Sequence, residues 1–154
     1  MSEGKQKAMN TVTMSATCPS HARTDLSTRD VEMVVDEPIA RGGSNLGFTP
    51  TETFIASLIA CTNVITNRCA EKNGVHFDDM SIDAEYDFVM SGAQLKEEID
   101  LPFQEVRLTI NAKSSASEEQ IKQVQEDLGK YCPVAKMFRQ AGCNVVEEWN
   151  IIAS

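Results

Sequence analysis

One stretch of this chain, residues 49–74, constrains the fold more than any other. Thr49 and Glu52 are spaced as a capping box, and Pro50 stands at the first helical position, where its missing N–H costs nothing. Nearly every residue from 54 to 65 is apolar or small, so we expect a helix buried on most of its circumference. The apolar run is shorter than the about 20 residues that span a bilayer. It therefore predicts a core helix, with the glycine at position 74 as its C-terminal stop.

Cys61 lies in the middle of this apolar run. A free cysteine in a core helix usually packs as a small hydrophobe, and that interpretation would suffice if Cys61 stood alone. The chain has four other cysteines, so a chemical role has to be weighed beside the packing role.

Length and charge limit the classes of function. The chain has 154 residues, and we predict a single domain over residues 1–154 whose polar residues 1–10 are loose. Its 14 Lys and Arg against 23 Asp and Glu give a net charge of −9, with no offsetting basic cluster, so nucleic acid and anionic membranes are poor partners. The first residues lack the apolar core of a secretory signal, which predicts a cytoplasmic protein.

The cysteines do not form a metal signature. There is no Cys-x-x-Cys spacing and the chain has only two histidines, so no metal is expected. In the cytoplasm thiols are kept reduced, which favours free, reactive or transiently paired cysteines over a structural disulfide framework. These cysteines stand at positions 18, 61, 69, 132 and 143.

The remaining chain alternates between strand and helix patterns. A turn-like cluster at residues 18–21 predicts a hairpin, and a linker is predicted at residues 91–100. Ser117 with Gln120 starts a second helix, which must end or kink at Tyr131 or Cys132 because Pro133 opens a new one. Strand patterns occupy residues 11–17, 31–35, 82–90, 106–112 and 143–152. This order predicts an α+β fold with antiparallel sheet.

Cys132 is predicted at the N-cap of the helix that Pro133 opens. Unpaired backbone N–H groups and the positive end of the helix dipole favour an anion there, so we expect a lowered thiol pKa. The alternative interpretation is that Cys132 only packs in the kink between the two helices, and the sequence favours neither interpretation over the other. Cys69 lies eight residues after Cys61, about 12 Å along one helix, too far for a disulfide. Cys69 is therefore predicted to be structural or at the surface.

A buried thiol paired with an N-cap thiol has a chemical use. A pocket lined by Phe54 and Leu58 would admit an apolar peroxide, and a thiolate would attack its O–O bond to give a sulfenic acid. The second thiol would then condense with the sulfenic acid. Burial raises a thiol pKa, so this chemistry needs a nearby cation, for which arginine is suited.

These features resemble the OsmC/Ohr family of osmotically inducible and organic hydroperoxide resistance proteins. The resemblance rests on the glycine-bearing loop at residues 42–47, on Pro50 with Cys61 eleven residues later, and on the motif at residues 132–136. It covers roughly residues 11–152. It implies two central helices packed against antiparallel sheets in an intertwined homodimer with active sites at the subunit interface. It also implies Cys61 as the peroxide-attacking thiol and Cys132 as the resolving thiol, with no bound cofactor and an external dithiol reductant such as a lipoyl group.

The chain departs from the family at two positions. The family's glutamate directly after the helix-opening proline, which orients an arginine against the thiolate, is Thr51 here, and Glu52 follows. Glu52 either replaces that glutamate or is occupied in the capping box. The family's arginine comes from the N-terminal hairpin turn, where Arg23 is the nearest candidate, followed by Arg29 and Arg41.

Two functions follow from these residues. The first is a thiol-dependent peroxidase that reduces organic hydroperoxides in an oxidative stress response. The second is a divergent member that binds a small apolar or electrophilic molecule without turnover. We expect the first if the Cys61 and Cys132 sulfurs lie within about 4–6 Å of each other with an arginine at hand, and the second if Cys61 is sealed with no cation near.

Overall fold

The structure, a computed structural model, describes residues 7–154. The chain divides into two compact units, Met1–Thr53 and Phe54–Ser154. In the tail predicted to be loose, residues 7–10 are exposed without regular secondary structure, and residues 1–6 lie outside the described residues. A single domain over residues 1–154 stays a prediction.

The first unit contains a three-stranded antiparallel sheet in the order β1-β2-β3. Its strands are β1 (Ser15–Thr17), β2 (Arg23–Thr28) and β3 (Val31–Asp36). The predicted hairpin is confirmed, although β1 is shorter than the predicted strand at residues 11–17. Ser20 Oγ accepts the backbone N–H groups of Ala22 and Arg23 and so closes the turn between β1 and β2.

Asp36 organises the loop that follows β3. Its buried carboxylate accepts the backbone N–H groups of Glu37, Ser44 and Leu46. Burial acts to raise the pKa of Asp36, but these hydrogen bonds outweigh it, so the pKa is below its usual value. A Cβ on Gly43 would lie 1.8 Å from the carbonyl oxygen of Glu37, so no other residue fits there.

The second unit contains the sheet that carries the core, in the order β4-β5-β6. Its strands are β4 (Asp78–Phe88), β5 (Phe103–Lys113) and β6 (Asn144–Ile152), and its helices are α1 (Pro50–Lys72), which enters this unit at Phe54, α2 (Met90–Ala93), α3 (Glu118–Tyr131) and α4 (Pro133–Gln140). The predicted α+β fold class is confirmed. Within residues 7–154 no helix is long and apolar enough to cross a membrane.

The direction of β6 corrects the prediction of antiparallel sheet. β4 and β5 pair antiparallel, but β5 and β6 pair parallel, with Val106 opposite Val145 and Ile110 opposite Trp149. Parallel neighbours need a long crossover connection, and α3 and α4 supply it between β5 and β6. A period-two pattern predicts a strand but not its direction. The predicted linker at residues 91–100 is also wrong in part, because α2 occupies its beginning.

Strand alternation separates the core from the solvated face of this sheet. Val106, Leu108 and Ile110 of β5 are fully buried. On the opposite face, Arg107 forms ion pairs with the carboxylates at positions 85, 87 and 105, so these acidic side chains belong to a solvated surface. No group of His, Cys, Asp and Glu in residues 7–154 is arranged to hold a metal ion.

Helix α1 begins as predicted. Thr49 N donates to Glu52 Oε2 at 2.8 Å, and Glu52 N donates to Thr49 Oγ1 at 3.3 Å, which completes the capping box around Pro50. The helix ends at Lys72, and Gly74 follows with φ of 66°, a conformation that glycine adopts readily at helix ends.

The expectation that α1 is buried on most of its circumference is wrong. Its buried residues recur every three or four positions on one side, whereas Phe54 and Val64 on other sides are 44% and 46% exposed. Ile55 and Leu58 belong to the same buried cluster as Val106 of the sheet, and a sheet covers only one side of a helix. Further along the helix, Cys69 and Ala70 belong to a second buried cluster.

Candidate active site

Two sulfurs from distant parts of the chain meet in the second unit. Cys61 projects from the middle of α1, and Cys132 stands at the junction of α3 and α4. Their Sγ atoms are 3.5 Å apart, although 71 residues separate them along the chain. Both are free thiols. Of the four residues that sequence reasoning proposed for catalysis, the structure places these two in direct contact.

The junction that carries Cys132 follows from the proline after it. Cys132 closes α3 by donating its N–H to Leu128 O at 3.0 Å, and its own carbonyl accepts from Lys136 N at 3.1 Å as α4 begins. Its φ of −69° and ψ of 107° are extended rather than helical, as expected before Pro133. The predicted break between the two helices is therefore confirmed.

The prediction of a lowered pKa at Cys132 is wrong. Cys132 is fully buried, and burial is the largest influence on its pKa, which it raises. The backbone N–H of Ala135 acts to lower the pKa, while the hydrogen bond to Cys61 raises it further. The sulfur therefore faces the start of α4 as expected, but the loss of water outweighs the helix terminus. Cys61, by contrast, is half-buried.

An apolar pocket of about 500 Å³ lies in the same unit. Helix α1, helix α4 and the connection between β4 and β5 form its walls. The rings of Phe54 and Phe138 stack with centroids 4.4 Å apart, and Phe103 meets Phe54 edge-on at 5.2 Å. The lining residues are Phe54, Ser57, Asp100, Leu101, Pro102, Phe103, Val134, Met137, Phe138, Ala141 and Cys143. Phe54 lines the pocket as predicted, but Leu58 does not, because it is fully buried in the core.

The pocket borders the two sulfurs without including them. Ser57 lies one helical turn before Cys61 on α1, and Val134 lies in the first turn of α4, two residues after Cys132. Phe138 and Cys132 belong to the same buried cluster, against which Cys61 also packs. The arrangement can therefore hold an apolar molecule beside a pair of thiols.

The other two predicted site residues lie in the first unit, where each has a local partner. Arg23 donates from Nε to Asp25 Oδ1 at 2.6 Å and from Nη2 to Asp25 Oδ2 at 2.9 Å. This contact raises the pKa of Arg23. Glu52 accepts the N–H of Thr49 in the capping box. Catalytic roles for Arg23 and Glu52 stay predictions.

The remaining arginine candidates also lie in the first unit. Arg41 is paired with Glu37, and Arg29 has a φ of 54° in the turn between β2 and β3. Within Phe54–Ser154, no Lys, Arg or His side chain forms a hydrogen bond with the sulfur of Cys61 or Cys132, whose side-chain partner is in each case the other sulfur.

Sequence reasoning missed several pocket residues. Cys143 lines the pocket and is buried, which raises its pKa, and Asp100 and Leu101 form part of the wall. Cys143 could have been noticed because it directly follows Gly142, a residue type that commonly ends helices. Asp100 and Leu101 carried no signal, because they fall in a stretch without hydrophobic periodicity. Cys69 is buried in the second cluster, as a structural cysteine.

Comparison with known proteins gives a family and a fold. The sequence model of the family described as OsmC-like protein matches residues 42–148. No curated protein matches the chain. The fold is similar to that of an OsmC-like protein from Mycoplasma pneumoniae, with 15% identity, a TM-score of 0.78, and coverage of 93% of this chain and 98% of that one.

Two further structures extend the likeness. An organic hydroperoxide resistance protein OsmC from Legionella pneumophila has 15% identity and a TM-score of 0.64, covering 94% of this chain and 99% of that one. The organic hydroperoxide resistance protein OhrB of Bacillus subtilis has 17% identity and a TM-score of 0.60, covering 93% and 100%. Likeness at this level of identity concerns the fold.

Proposed function

Because the chain belongs to the OsmC-like protein family, we propose that it is a thiol-dependent peroxidase that reduces organic hydroperoxides to alcohols. The observation that carries the proposal is the 3.5 Å contact between the sulfurs of Cys61 and Cys132 beside an apolar pocket. Two thiols in contact can form a disulfide with little movement, and the pocket offers the organic part of a hydroperoxide a place out of water.

Cys61 takes the first step. Its half-buried side chain is more accessible than that of the fully buried Cys132. The Cys61 thiolate attacks the terminal oxygen of the hydroperoxide, so that an S–O bond forms and the O–O bond breaks. The alkoxide leaves and takes up a proton to become the alcohol, while Cys61 is oxidised to a sulfenic acid.

Cys132 takes the second step. Its sulfur attacks the sulfur of the Cys61 sulfenic acid, an S–S bond forms, and hydroxide leaves and is protonated to water. An external dithiol then reduces the disulfide by two thiol–disulfide exchanges and is itself oxidised to a disulfide. The sum is one hydroperoxide and one dithiol converted to one alcohol, one water and one oxidised dithiol.

The proposal includes a cation for the attacking thiolate. A positive charge near a cysteine lowers its pKa and raises the fraction of thiolate at neutral pH. Arg23 is the cation that the proposal assigns from the family resemblance, and in the first unit its guanidinium is paired with the carboxylate of Asp25. Glu52 is proposed to help orient that arginine only as a secondary role, because its carboxylate already accepts the N–H of Thr49 in the capping box. A lipoyl-type dithiol as the reductant and a cytoplasmic location belong to the same proposal.

Turnover tests the proposal directly. With cumene hydroperoxide and dihydrolipoamide, we expect the wild type to consume peroxide and Cys61→Ser to lose activity at least about 100-fold. Cys18→Ser is the matched control, because Cys18 is an exposed cysteine of the β1–β2 turn, and it should keep wild-type activity. Mass spectrometry after a sub-stoichiometric peroxide pulse should find Cys61 joined to Cys132. Normal turnover by Cys61→Ser would refute the assignment of the nucleophile.

A second candidate is binding without turnover, and one observation favours it. Burial raises the pKa of Cys132, and within the second unit no cation hydrogen-bonds to either sulfur. This candidate predicts that an apolar alcohol or electrophile raises the melting temperature while peroxide consumption stays at background. Robust peroxidase rates would remove it.

A further inference from the structure

The wall of the apolar pocket carries two sulfur atoms besides the proposed redox pair. One belongs to Cys143, which is buried, and the other to Met137, which is 65% exposed. We propose that Met137 is an oxidation site, at which a hydroperoxide held in the pocket converts the thioether to a sulfoxide and so weakens the binding of further apolar substrate. The inference rests on the proposed peroxidase function and adds a modification site that regulates it.

The position of Met137 follows from the helix that carries it. Val134, Met137, Phe138 and Ala141 all line the pocket, and their spacing of three, one and three residues places them on one face of α4 and its C-terminal cap. Phe138 is buried on this face, whereas Met137 is exposed. Met137 therefore lies at the rim of the pocket, where the apolar wall meets solvent.

The two sulfurs of the wall differ in how readily a hydroperoxide oxidises them. A cysteine reacts as its thiolate, but burial raises the pKa of Cys143, and its sulfur donates to Asn144 O. The thioether of Met137 needs no ionisation, because its sulfur carries free lone pairs at every pH. Met137 is therefore the sulfur of this wall that is open to oxidation at neutral pH.

The oxidation is complete with the hydroperoxide alone. A lone pair of the Met137 sulfur attacks the terminal oxygen of the hydroperoxide, so that an S–O bond forms and the O–O bond breaks. The leaving alkoxide takes up the proton of the hydroperoxide and becomes the alcohol. The sulfur loses two electrons and the hydroperoxide gains them, so the products are one methionine sulfoxide and one alcohol.

A sulfoxide at the rim changes what the pocket binds. Oxidation turns a flexible apolar side chain into a polar one, next to a wall on which Phe138 stacks against Phe54 at 4.4 Å. An apolar substrate that covers this polar group removes its water without replacing the hydrogen bonds, so the substrate binds more weakly. Methionine sulfoxide reductases restore the thioether, which makes the change reversible.

Peptide mass spectrometry of Cys61→Ser tests the site, because this variant lacks the proposed attacking thiol and leaves the peroxide for slower reactions. Met90 is the internal control, since it is a methionine of the same unit that is 53% exposed and does not line the pocket. With cumene hydroperoxide, whose hydrocarbon part the pocket holds, we expect Met137 to be oxidised at least about tenfold faster than Met90. With hydrogen peroxide, which has no hydrocarbon part, the two rates should be similar.

Kinetics test the consequence. The wild type is treated with excess cumene hydroperoxide in its disulfide form, which protects the two redox thiols, and is reduced with a dithiol before the assay. We expect KM for cumene hydroperoxide to rise roughly fivefold with kcat little changed, and both stereospecific classes of methionine sulfoxide reductase together should restore it. Met137→Leu, compared with its own untreated form, should keep its KM, whereas Met90→Leu should respond to the treatment as the wild type does.

The outcomes separate this inference from the proposed function. Equal oxidation of Met137 and Met90 by cumene hydroperoxide would overturn the site, and an unchanged KM in fully oxidised wild type would overturn its effect on binding. If the wild type does not turn over but Met137 is oxidised preferentially, the peroxidase proposal fails and the oxidation site stands. The melting-temperature rise caused by the alcohol product then replaces KM, and it should be smaller after oxidation. Turnover without preferential oxidation refutes the oxidation site alone.

Discussion

Cys132 is subject to two opposing influences. The first turn of α4 directs backbone N–H groups towards its sulfur, which favours the thiolate, whereas complete burial favours the neutral thiol. Burial is the stronger influence, and the pKa of Cys132 is raised. A thiol of this kind is well protected from solvent oxidants and reacts mainly with a partner already in contact, which here is Cys61.

The raised pKa predicts a pH-dependent resolving step. Because Cys132 attacks as a thiolate, the rate of disulfide formation should rise about tenfold per pH unit over the range below its pKa, for example from pH 6 to pH 8. Rapid mixing with one equivalent of peroxide measures this step. The first step is measured separately in Cys132→Ser, which should accumulate the Cys61 sulfenic acid. A resolving rate independent of pH would show that Cys132 is already ionised.

Glu52 illustrates how one side chain can suggest two roles. Its contact with Thr49 shows that it caps α1. Glu52→Ala should therefore cost about 1 kcal/mol of unfolding free energy, whereas Glu52→Gln should cost little, because a glutamine carbonyl accepts the same hydrogen bond. Chemical denaturation measures both. An equal loss in the two variants would mean that the charge of Glu52, rather than its hydrogen bond, stabilises the helix start.

The end of α1 is joined to α3 by a buried carboxylate. Asp127 on α3 is almost fully buried and accepts hydrogen bonds from Lys72 Nζ at 2.9 Å and from Asn73 Nδ2 at 3.1 Å. The hydrogen bond from Lys72 is the largest of the influences that lower the pKa of Asp127 to about 2. This contact fixes the helix that carries Cys61 against the helix that leads to Cys132, and so helps to keep the two sulfurs together.

Asp127→Asn should lower the melting temperature by about 5 °C at neutral pH, since it removes a charge from a buried hydrogen-bonded group. The folded-state pKa of about 2 lies below the usual value of 3.8, so the stabilisation is present above pH 4 and is lost as the pH falls through 2. The difference between wild type and variant should therefore shrink over that range. Glu126→Gln, an exposed neighbour on α3, is the control and should have little effect.

Both units of the chain expose large apolar side chains. In the first unit Ile39, Leu46 and Phe48 are more than 60% exposed, and in the second unit Met137 is 65% exposed. Large exposed apolar side chains that stand close together, as Leu46 and Phe48 do along the chain, are typical of protein contacts. Together with family membership, this supports the proposal that the chain is a homodimer.

Sedimentation or light scattering tests that proposal. We expect a species with twice the chain mass of 16.9 kDa at micromolar concentration. The high net charge of −9 opposes association at low ionic strength, so the dimer should persist or strengthen as salt is added. A monomer at every salt concentration would contradict the prediction and would leave the exposed apolar side chains without this explanation.

Local signals allowed much of this molecule to be predicted. The capping box of Thr49 and Glu52, the break at Pro133 and the alternation along β4 and β5 are set by residues within a few positions of one another. Such features depend on backbone geometry and hydrogen bonds between near neighbours, which the order of amino acids specifies directly.

Tertiary packing decided the rest. The parallel direction of β6, the contact between Cys61 and Cys132, and the pocket wall at Asp100 all join segments that are distant along the chain. The raised pKa of Cys132 arises in the same way, because desolvation depends on how many distant side chains exclude water from the sulfur. The sequence alone determined that a cysteine would begin α4, and only the packed structure decided that burial, rather than the helix terminus, would control its ionisation.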